Sequence, residues 1–202
     1  MGPEDWDERY AGDELLWRAE PNRFVVAETE DLEPGRALDF ACGEGRNAVW
    51  LAEKGWTATG VDFSQVGLAK ARRLADERGV VVEWIAADVR EWQAPDSFDL
   101  VVVLYLHLPL DERRRAHRNA ARSLAVGGTL LVVGHDLANL AKGIGGPRDP
   151  AVLFTPADVV DDLAGLEVAF DVEHAESVRR PVTTDHGEVD AIDALVRAVR
   201  SS

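Results

Sequence analysis

The sequence predicts an α/β fold in which a mostly parallel sheet carries helices on both faces. Apolar, β-branched runs alternate with helical patterns through the first two-thirds of the chain, as they do in successive βαβ units. One of these runs, residues 98–104, is apolar apart from Asp99, which is typical of a strand covered on both faces. A Gly-rich turn separates the first run from the first helical pattern, and we expect a ligand site there.

The elements of the first half follow from capping and turn residues. A strand is predicted at 36–41 and a helix at 46–54, which Gly55 is placed to end. A second strand covers 56–62. Ser64 is placed to cap the next helix, which stops at Gly79, and a third strand covers 80–86.

The second half is less regular. A fourth strand at 98–104, a helix at 111–124 and a fifth strand at 129–134 are predicted, the last after a turn at Gly127 and Gly128. A stretch rich in Gly and Pro, 135–156, leads to a short helix at 156–164. The last predicted strands are 166–177 and 189–199, with a hairpin turn at 181–187, although residues 191–196 fit a helix equally well by periodicity.

Length and composition indicate one soluble domain. The 202 residues fit one domain better than two, and no apolar run is long enough to span a membrane. The formal net charge of −15 disfavours a nucleic-acid partner, whose phosphates attract clustered basic residues. The basic group at residues 113–115, Arg118 and Arg122 is interpreted as a solvated helix face.

Location and assembly are predicted from the same data. The acidic N-terminus lacks the basic and apolar regions of a secretory leader. The single cysteine, Cys42, excludes an internal disulfide framework and indicates a reducing compartment. We therefore expect a cytoplasmic protein with no membrane partner, as a monomer or a weak homodimer.

The Gly-rich turn, residues 39–48, is the most informative segment. Gly43, Gly45 and Ala48 satisfy the G-x-G-x-x-G/A spacing of dinucleotide-binding folds, so an NAD(P)-dependent oxidoreductase is one interpretation. Asp39 lies four residues before Gly43 and would repel a pyrophosphate at this turn. A cationic ligand with an α-ammonium group and a sulfonium, and without phosphate, fits this charge better.

Two further acids follow the next two strands. Asp62 ends the second strand, where a carboxylate accepts bonds from both hydroxyls of a ribose. Asp88 and Val89 follow the third strand, where an adenine would lie. One acid after each of three successive strands is harder to explain by turn capping alone.

With these residues the sequence resembles the class I S-adenosylmethionine-dependent methyltransferases. The resemblance rests on Asp39, Gly43, Gly45, Asp62, Asp88 with Val89, and the strand that begins Phe98-Asp99, and it covers residues 36–134. Residues 6–10 and 43–47 are similar to the small methyltransferases of the tellurite-resistance and thiopurine type. The resemblance implies a Rossmann-like sheet of seven strands, mostly parallel, with one antiparallel strand.

The resemblance also implies which residues meet S-adenosylmethionine, the expected cofactor. The Gly-rich turn meets the methionine part, Asp62 the ribose, and Asp88 with Val89 the adenine. The full expected set is Asp39, Ala41, Cys42, Gly43, Gly45, Arg46, Asn47, Asp62, Phe63, Asp88, Val89, Leu104, Tyr10 and Trp17.

The acceptor is expected to be a small molecule that the sequence does not identify. Methyl transfer is an in-line displacement, so a thiol or halide needs no base, whereas a hydroxyl or protonated amine does. His107 and His135 follow the fourth and fifth strands at the ligand-binding edge and are the candidate bases, and the adjacent Asp136 is expected to raise the proton affinity of His135 or orient its ring. The candidate acceptor contacts are Trp6, Tyr105, His107, His135 and Asp136.

Three remaining expectations concern metals, flanking segments and domain layout. No histidine spacing indicates a metal ligand set, so no metal is expected. Residues 1–30 form a lid or an amphipathic helix packed on the sheet, 36–134 form the cofactor-binding core, and 135–202 form the acceptor side. The long stretch 137–155 is expected to be ordered and to bury its apolar side chains.

Three functions from different classes remain open on sequence alone. They are a small-molecule methyltransferase, an NAD(P)-dependent oxidoreductase and a non-catalytic module that senses S-adenosylmethionine. The oxidoreductase interpretation lacks a Tyr-x-x-x-Lys pair or another recognisable hydride-transfer set. The non-catalytic module can be distinguished from an enzyme only by measuring turnover, because a complete cofactor site does not establish an acceptor site.

Overall fold

The computed structural model describes residues 2–94, 97–185 and 187–202. The strands are β1 (Arg36–Phe40), β2 (Thr57–Asp62), β3 (Glu83–Ala86), β4 (Phe98–Leu104), β5 (Leu124–His135), β6 (Phe170–Thr184) and β7 (Gly187–Arg200). The helices are α1 (Pro3–Tyr10), α2 (Arg23–Thr29), α3 (Arg46–Glu53), α4 (Gln65–Arg78), α5 (Leu110–Arg122), α6 (Asn139–Lys142) and α7 (Pro156–Leu163). No helix in these three ranges has the length and apolarity to cross a membrane.

The seven strands form one sheet in the order β3-β2-β1-β4-β5-β7-β6. Strands β1 to β5 run parallel to one another, whereas β7 runs antiparallel to both β5 and β6. Strand β7 is therefore the one reversed strand, and the predicted fold class is confirmed. The predicted hairpin lies between β6 and β7. His186, within the range predicted for its turn, lies outside the described residues.

Residues 191–196 are a strand, which settles the alternative that periodicity left open. Ala194 and Val196 pack in the core on one face of the sheet, and Leu195 packs in the core on the other. A segment that is apolar on both faces has no period to distinguish strand from helix. Strand β4 follows the same rule: Val101 and Val103 face one core, and Leu100 and Val102 the other.

Capping residues fix the helix ends as predicted. The Ser64 hydroxyl accepts the Gly67 N–H at 2.9 Å and begins α4, and Gly79 ends it in the left-handed region at φ +67°. The predicted turn at Gly127 and Gly128 is instead part of β5, where the register against β4 shifts. Between the Phe98–Leu124 and Leu100–Thr129 pairs β5 has three more residues than β4, and this irregularity does not end the strand.

The basic stretch of α5 is not a solvated face throughout. Arg113 is 4% exposed and binds Asp162 of α7 through Nε at 2.7 Å. His117 Nδ1 lies 3.0 Å from the same carboxylate, and Arg118 donates to the Asp162 carbonyl oxygen. The interpretation as a solvated face is wrong for Arg113 and Arg118, because they join α5 to α7.

The stretch 137–155 is ordered, with α6 and a 3-10 turn at Pro150–Val152. Its predicted apolar burial holds for Leu153, whereas Leu137, Leu140 and Ile144 each keep at least 38% of their surface exposed. Leu153 is buried together with Phe154, whose carbonyl oxygen accepts the Leu137 N–H at 3.2 Å. The buried Leu153 and Phe154 thus hold the C-terminal end of this stretch against the edge of the sheet.

Candidate cofactor and acceptor site

The Gly-rich turn joins the carboxyl end of β1 to the start of α3. Ala41, Gly43 and Gly45 have φ of 64°, 54° and 78°, the left-handed region that glycine tolerates best. A Cβ at Gly43 would lie 2.7 Å from the Tyr10 hydroxyl oxygen, and a Cβ at Gly45 2.5 Å from the Trp84 ring. Only glycine fits at these two positions.

Asp62 sits beneath this turn and holds it through backbone groups. Its two carboxylate oxygens accept the N–H groups of Gly43 and Ser64, each at 2.8 Å. Burial raises the pKa of Asp62, and these two hydrogen bonds oppose the rise. A carboxylate has about four lone-pair positions, so each oxygen keeps one for a ligand hydroxyl.

Asp39 contributes a second buried carboxyl group next to the turn. It is 1% exposed and accepts the Ala48 N–H at 3.1 Å, which caps the first turn of α3. Burial raises its pKa to about 7, although the Ala48 hydrogen bond and Arg46 act in the opposite direction. Asp39 therefore supports the turn and, in its ionised form, adds negative charge beside Asp62.

Asp88 is engaged by its own neighbour along the chain. Arg90 binds both carboxylate oxygens, with Nε at 2.9 and 3.0 Å and Nη2 at 2.5 Å, and also reaches Glu112 at 2.6 Å. The hydrogen bonds from Arg90 hold the pKa of Asp88 below its usual value. Val89 is buried behind it. The adenine role of this pair stays a prediction.

Glu44, between the two glycines, fixes the N-terminal segment, by which we mean residues 2–22. Its carboxylate is 3% exposed and accepts the N–H groups of Leu16 and Trp17 at 2.9 and 3.0 Å. Lys70 of α4 binds the same carboxylate at 3.0 Å. Sequence reasoning missed this clamp, because no local spacing relates residue 44 to 16 or to 70.

The N-terminal segment covers the turn. Tyr10 is 5% exposed, stacks on Trp6 at 5.4 Å, and lies over Gly43. Asp7 accepts the Ser64 hydroxyl at 2.5 Å. Since α1 both packs on the domain and covers the turn, the two predicted roles of the segment are compatible. The Trp17 ring remains 44% exposed.

The other expected cofactor residues line or support the turn. Asn47 accepts the Asn22 N–H at 2.8 Å and so ties down the end of the N-terminal segment. Cys42 is buried, and burial raises the pKa of its thiol, so it is no nucleophile. Arg46 begins α3, Phe63 follows β2, and Leu104 ends β4.

A cluster of side chains from β4 to β7 lies on the side that is expected to take the acceptor. Tyr105, at φ 54°, follows β4 and donates its hydroxyl to Asp193 of β7 at 3.0 Å. Arg180 of β6 binds the same Asp193 oxygen through Nε at 2.7 Å. Asp193 has no exposed surface, and its burial, which would raise its pKa, is outweighed by the neighbouring His135 and Arg180 side chains, which lower its pKa.

His107 and His135, the two candidate bases, lie together in this cluster. Their rings stack at 5.3 Å, and His107 Nε2 accepts the His135 backbone N–H at 3.1 Å. Burial, and then His135, lower the pKa of His107 to about 4. His107 is therefore neutral near pH 7 and uses Nε2 to hold the backbone.

Asp136 does not orient His135, as its adjacent position had suggested. Its oxygens accept the Ser177 hydroxyl at 2.6 Å and the Ala138 N–H at 2.7 Å, and the residue is 2% exposed. The carboxylate that reaches His135 belongs to Asp193, with Oδ1 3.2 Å from Nδ1. Successive residues of a strand face opposite sides, which is why the neighbour in sequence is the wrong partner.

The structure thus brings Tyr105, His107 and His135 together and places Trp6 on α1, over the turn. Sequence reasoning missed Asp193 and Arg180, which lie on the last two strands. In the described ranges, no three His, Cys, Asp or Glu side chains are grouped to hold a metal ion. The roles of these residues in catalysis stay predictions.

Residues 37–128, which contain the turn and its three acids, match a family model described as a methyltransferase domain. Over these residues the chain is similar to class I methyltransferases. The predicted resemblance and fold are confirmed by this match and by the relatives and solved structures that follow.

Two curated relatives cover the same part of the methyltransferase domain. The chain is 32% identical over 118 residues to a 2-heptyl-1-hydroxyquinolin-4(1H)-one methyltransferase of Mycobacteroides abscessus, which covers 56% of this chain and 52% of the relative. It is 35% identical over 125 residues to a demethylmenaquinone methyltransferase of Thermus thermophilus, with 60% and 55% covered. The match thus spans about half the length of each relative.

Solved structures extend the similarity over the whole fold. The N-methyltransferase NodS of Bradyrhizobium japonicum, in complex with S-adenosyl-L-homocysteine, has a TM-score of 0.72 at 19% identity, and 99% and 98% of the two chains are covered. TehB of Haemophilus influenzae has a TM-score of 0.71 at 16% identity, with 98% and 66% covered. The second agrees with the predicted tellurite-type resemblance.

Proposed function

We propose that the chain transfers a methyl group from S-adenosylmethionine to a small-molecule acceptor. The observation that carries this proposal is the glycine turn, with Asp62 bonded to the Gly43 N–H beneath it and Tyr10 over it. It combines backbone that can approach a ligand closely with a buried carboxylate that keeps free lone pairs. The methyltransferase relatives support the same function.

The charges around the turn fit a cationic cofactor. Burial raises the pKa of the neighbouring Cys42 thiol, and Asp39 and Asp62, which are both buried there, raise it further. Lys70 of α4 is already paired with Glu44. A sulfonium with an α-ammonium group is stabilised by such a site, whereas a pyrophosphate is repelled. The NAD(P)-dependent alternative therefore has no support in the structure.

We assign the parts of the cofactor to residues on this basis. The turn at Gly43 and Gly45 and the start of α3 take the methionine part, Asp62 takes the ribose hydroxyls, and Asp88 with Val89 borders the adenine. When bound, S-adenosylmethionine supplies an electrophilic methyl group on a positively charged sulfur. The N-terminal segment, clamped by Glu44, then excludes water from the turn.

A small acceptor is supported by a second cluster of side chains at the ligand-binding edge of the sheet. The cluster at Tyr105, His135 and Asp193 lies at the carboxyl edge of β4 and β5, next to the turn. The two curated relatives are named for small-molecule acceptors. The net charge of −15 supports the exclusion of nucleic acid.

Calorimetric titration with S-adenosylmethionine, S-adenosylhomocysteine, NAD and NADP tests this proposal. We expect binding of the first two only. Asp62→Ala should weaken binding of S-adenosylmethionine by roughly 1–3 kcal/mol, since its ribose bonds and the support of Gly43 are lost.

The matched control is Asp149→Ala. Asp149 accepts an N–H two residues along the chain at 2.9 Å, as Asp62 does, but at the distant 3-10 turn. Its removal should leave cofactor affinity unchanged. Binding of NAD or NADP, or equal affinity in wild type and Asp62→Ala, would reject the proposed function.

A further inference from the structure

We propose that His135 and Asp193 form a proton-accepting pair, and that the methyl acceptor is a hydroxyl compound. In this arrangement His135 is a catalytic residue that takes the hydroxyl proton, and Asp193 is a positioning residue behind it. The inference rests on the proposed function and specifies its acceptor class.

The pair is built on neighbouring strands of the sheet. His135 ends β5, and Asp193 stands opposite it in the antiparallel register of β7. The Nδ1 and Oδ1 atoms are 3.2 Å apart, without the alignment of a hydrogen bond, and Nδ1 is buried. Asp193 is fully buried and receives Tyr105 and Arg180 on its other oxygen. Its position is therefore fixed from three sides.

This geometry selects one tautomer of the neutral ring. A carboxylate beside Nδ1 favours the form with the proton on Nδ1, which leaves the lone pair on Nε2. The side chain of His135 is 12% exposed, and Nδ1 is its buried nitrogen. Nε2 is the nitrogen left for an acceptor, whereas Nε2 of the stacked His107 is used by a backbone N–H.

The charged and titratable groups around His135 come from three other strands of the sheet or from the residues that follow them. Asp193 lies on β7, Arg180 on β6, and Tyr105 and His107 follow β4. Burial, followed by Asp193, raises the pKa of Tyr105 to about 12, so its hydroxyl stays protonated. Asp193 is thus the one of these groups that stabilises a positive charge on His135.

Arg180 argues for a hydroxyl rather than an ammonium acceptor. Its guanidinium lies 5.7 Å from the centre of the Tyr105 ring, and it holds Asp193 through Nε and Nη2. A fixed cation at the cluster repels an ammonium group and stabilises an oxygen that is losing its proton. A thiolate or halide would need no base, so a buried carboxylate–histidine pair would have no role there.

The step balances in atoms and charge. The acceptor oxygen forms a bond to the methyl carbon while the carbon–sulfur bond breaks, and that electron pair goes to sulfur. The hydroxyl proton moves to Nε2 of His135, which becomes an imidazolium beside Asp193. The proton is then released to water, and the neutral ring is restored.

Turnover on two acceptor types tests the acceptor class. With phenol and catechol as hydroxyl probes, His135→Gln should lower kcat by about 100-fold or more, in the range expected for loss of a general base. Asp193→Asn should lower it about tenfold or more, while with thiophenol both variants should stay near wild type. Wild-type turnover of thiophenol alone, or unchanged turnover of the phenols in both variants, overturns the proposal.

The matched control is Asp190→Asn. Asp190 lies three residues earlier on β7 and pairs with Arg179 at 2.8 Å, as Asp193 pairs with Arg180, but at an exposed position. It should change neither kcat nor binding of S-adenosylmethionine. Retained cofactor binding in Asp193→Asn separates failure of this inference from failure of the proposed function.

A second measurement needs no acceptor. Nitrogen-15 NMR of the imidazole rings, with His135→Gln to assign the signal, should show the proton of neutral His135 on Nδ1. Asp193→Asn should move it to Nε2, because an amide donates where the carboxylate accepted, and Asp190→Asn should not. A wild-type ring with its proton on Nε2 would contradict the proposal even if no acceptor were found.

Discussion

The cofactor side and the acceptor side of this domain are built in different ways. The cofactor side is shaped by backbone: left-handed residues of one turn, with the N–H of Gly43 on Asp62. The acceptor side is shaped by side chains, whose central bond joins Tyr105 to Asp193 across 88 positions of sequence. The cofactor side depends on the space at the turn. The acceptor side depends on the charges that surround the buried carboxylate of Asp193.

This difference indicates which kind of substitution should disturb each side. A single methyl group is enough to disturb the turn, because Tyr10 and Trp84 already fill the space over its glycines. At the acceptor side an isosteric change of charge should matter more than a change of volume. The following predictions test that contrast, beginning with the largest effect.

Gly45→Ala should have the largest effect. Its Cβ would lie 2.5 Å from the Trp84 ring and 2.6 Å from the Ala71 Cβ, at φ 78°. Left-handed backbone costs a residue with a Cβ about 1 kcal/mol, and overpacking adds roughly 1–3 kcal/mol. Urea unfolding should show the sum of both, and calorimetry should show loss of S-adenosylmethionine binding.

Gly165→Ala separates the two contributions. Gly165 has nearly the same φ, 73°, but a Cβ there would meet no atom of the described residues within 4 Å. The Gly165→Ala variant should lose only the stability that the left-handed backbone costs, and its affinity for S-adenosylmethionine should be unchanged. If both variants lost equal stability and both bound the cofactor, the turn would not be limited by space.

The same contrast explains how much the sequence could predict. Asp39 and Asp62 lie at the carboxyl ends of two successive strands and Gly43 follows the first, so strand order alone places them at one edge, and the alternation of strands and helices predicted the fold. Asp193 and Arg180 stand on a hairpin whose register follows from pairing of β7 with β5, which no local spacing encodes. Their partner His135 was found, but with the wrong carboxylate, Asp136.

His107 should make stability depend on pH. Burial and then His135 lower its pKa to about 4, against 6.5 for a free histidine. Between these values the unfolded chain binds a proton that the folded chain does not, so stability is lost as pH falls from about 6.5 to 4. By pH 5 the loss is about 2 kcal/mol, because the buried ring beside His135 disfavours a positive charge.

Urea unfolding at pH 7.5 and pH 5 should therefore show a smaller difference in His107→Gln than in wild type. Glutamine keeps an acceptor at the position of Nε2 and does not titrate. His174→Gln is the control, since His174 is 48% exposed and pairs with Glu28 at the surface. An equal loss between the two pH values in wild type and His107→Gln would show that His107 is not held neutral by the fold.

Glu44→Gln should have the smallest effect and tests the clamp on the N-terminal segment. The change leaves the volume of the side chain but removes the charge that holds Leu16, Trp17 and Lys70. We expect affinity for S-adenosylmethionine to fall about tenfold, near 1.4 kcal/mol, with faster proteolysis before residue 22. Glu53→Gln removes an exposed pair with Arg78 and should change neither, as surface ion pairs contribute little. If Glu44→Gln bound the cofactor as wild type does while proteolysis still accelerated, the segment would cover the turn without contributing to binding, and the cofactor side would depend on its backbone alone.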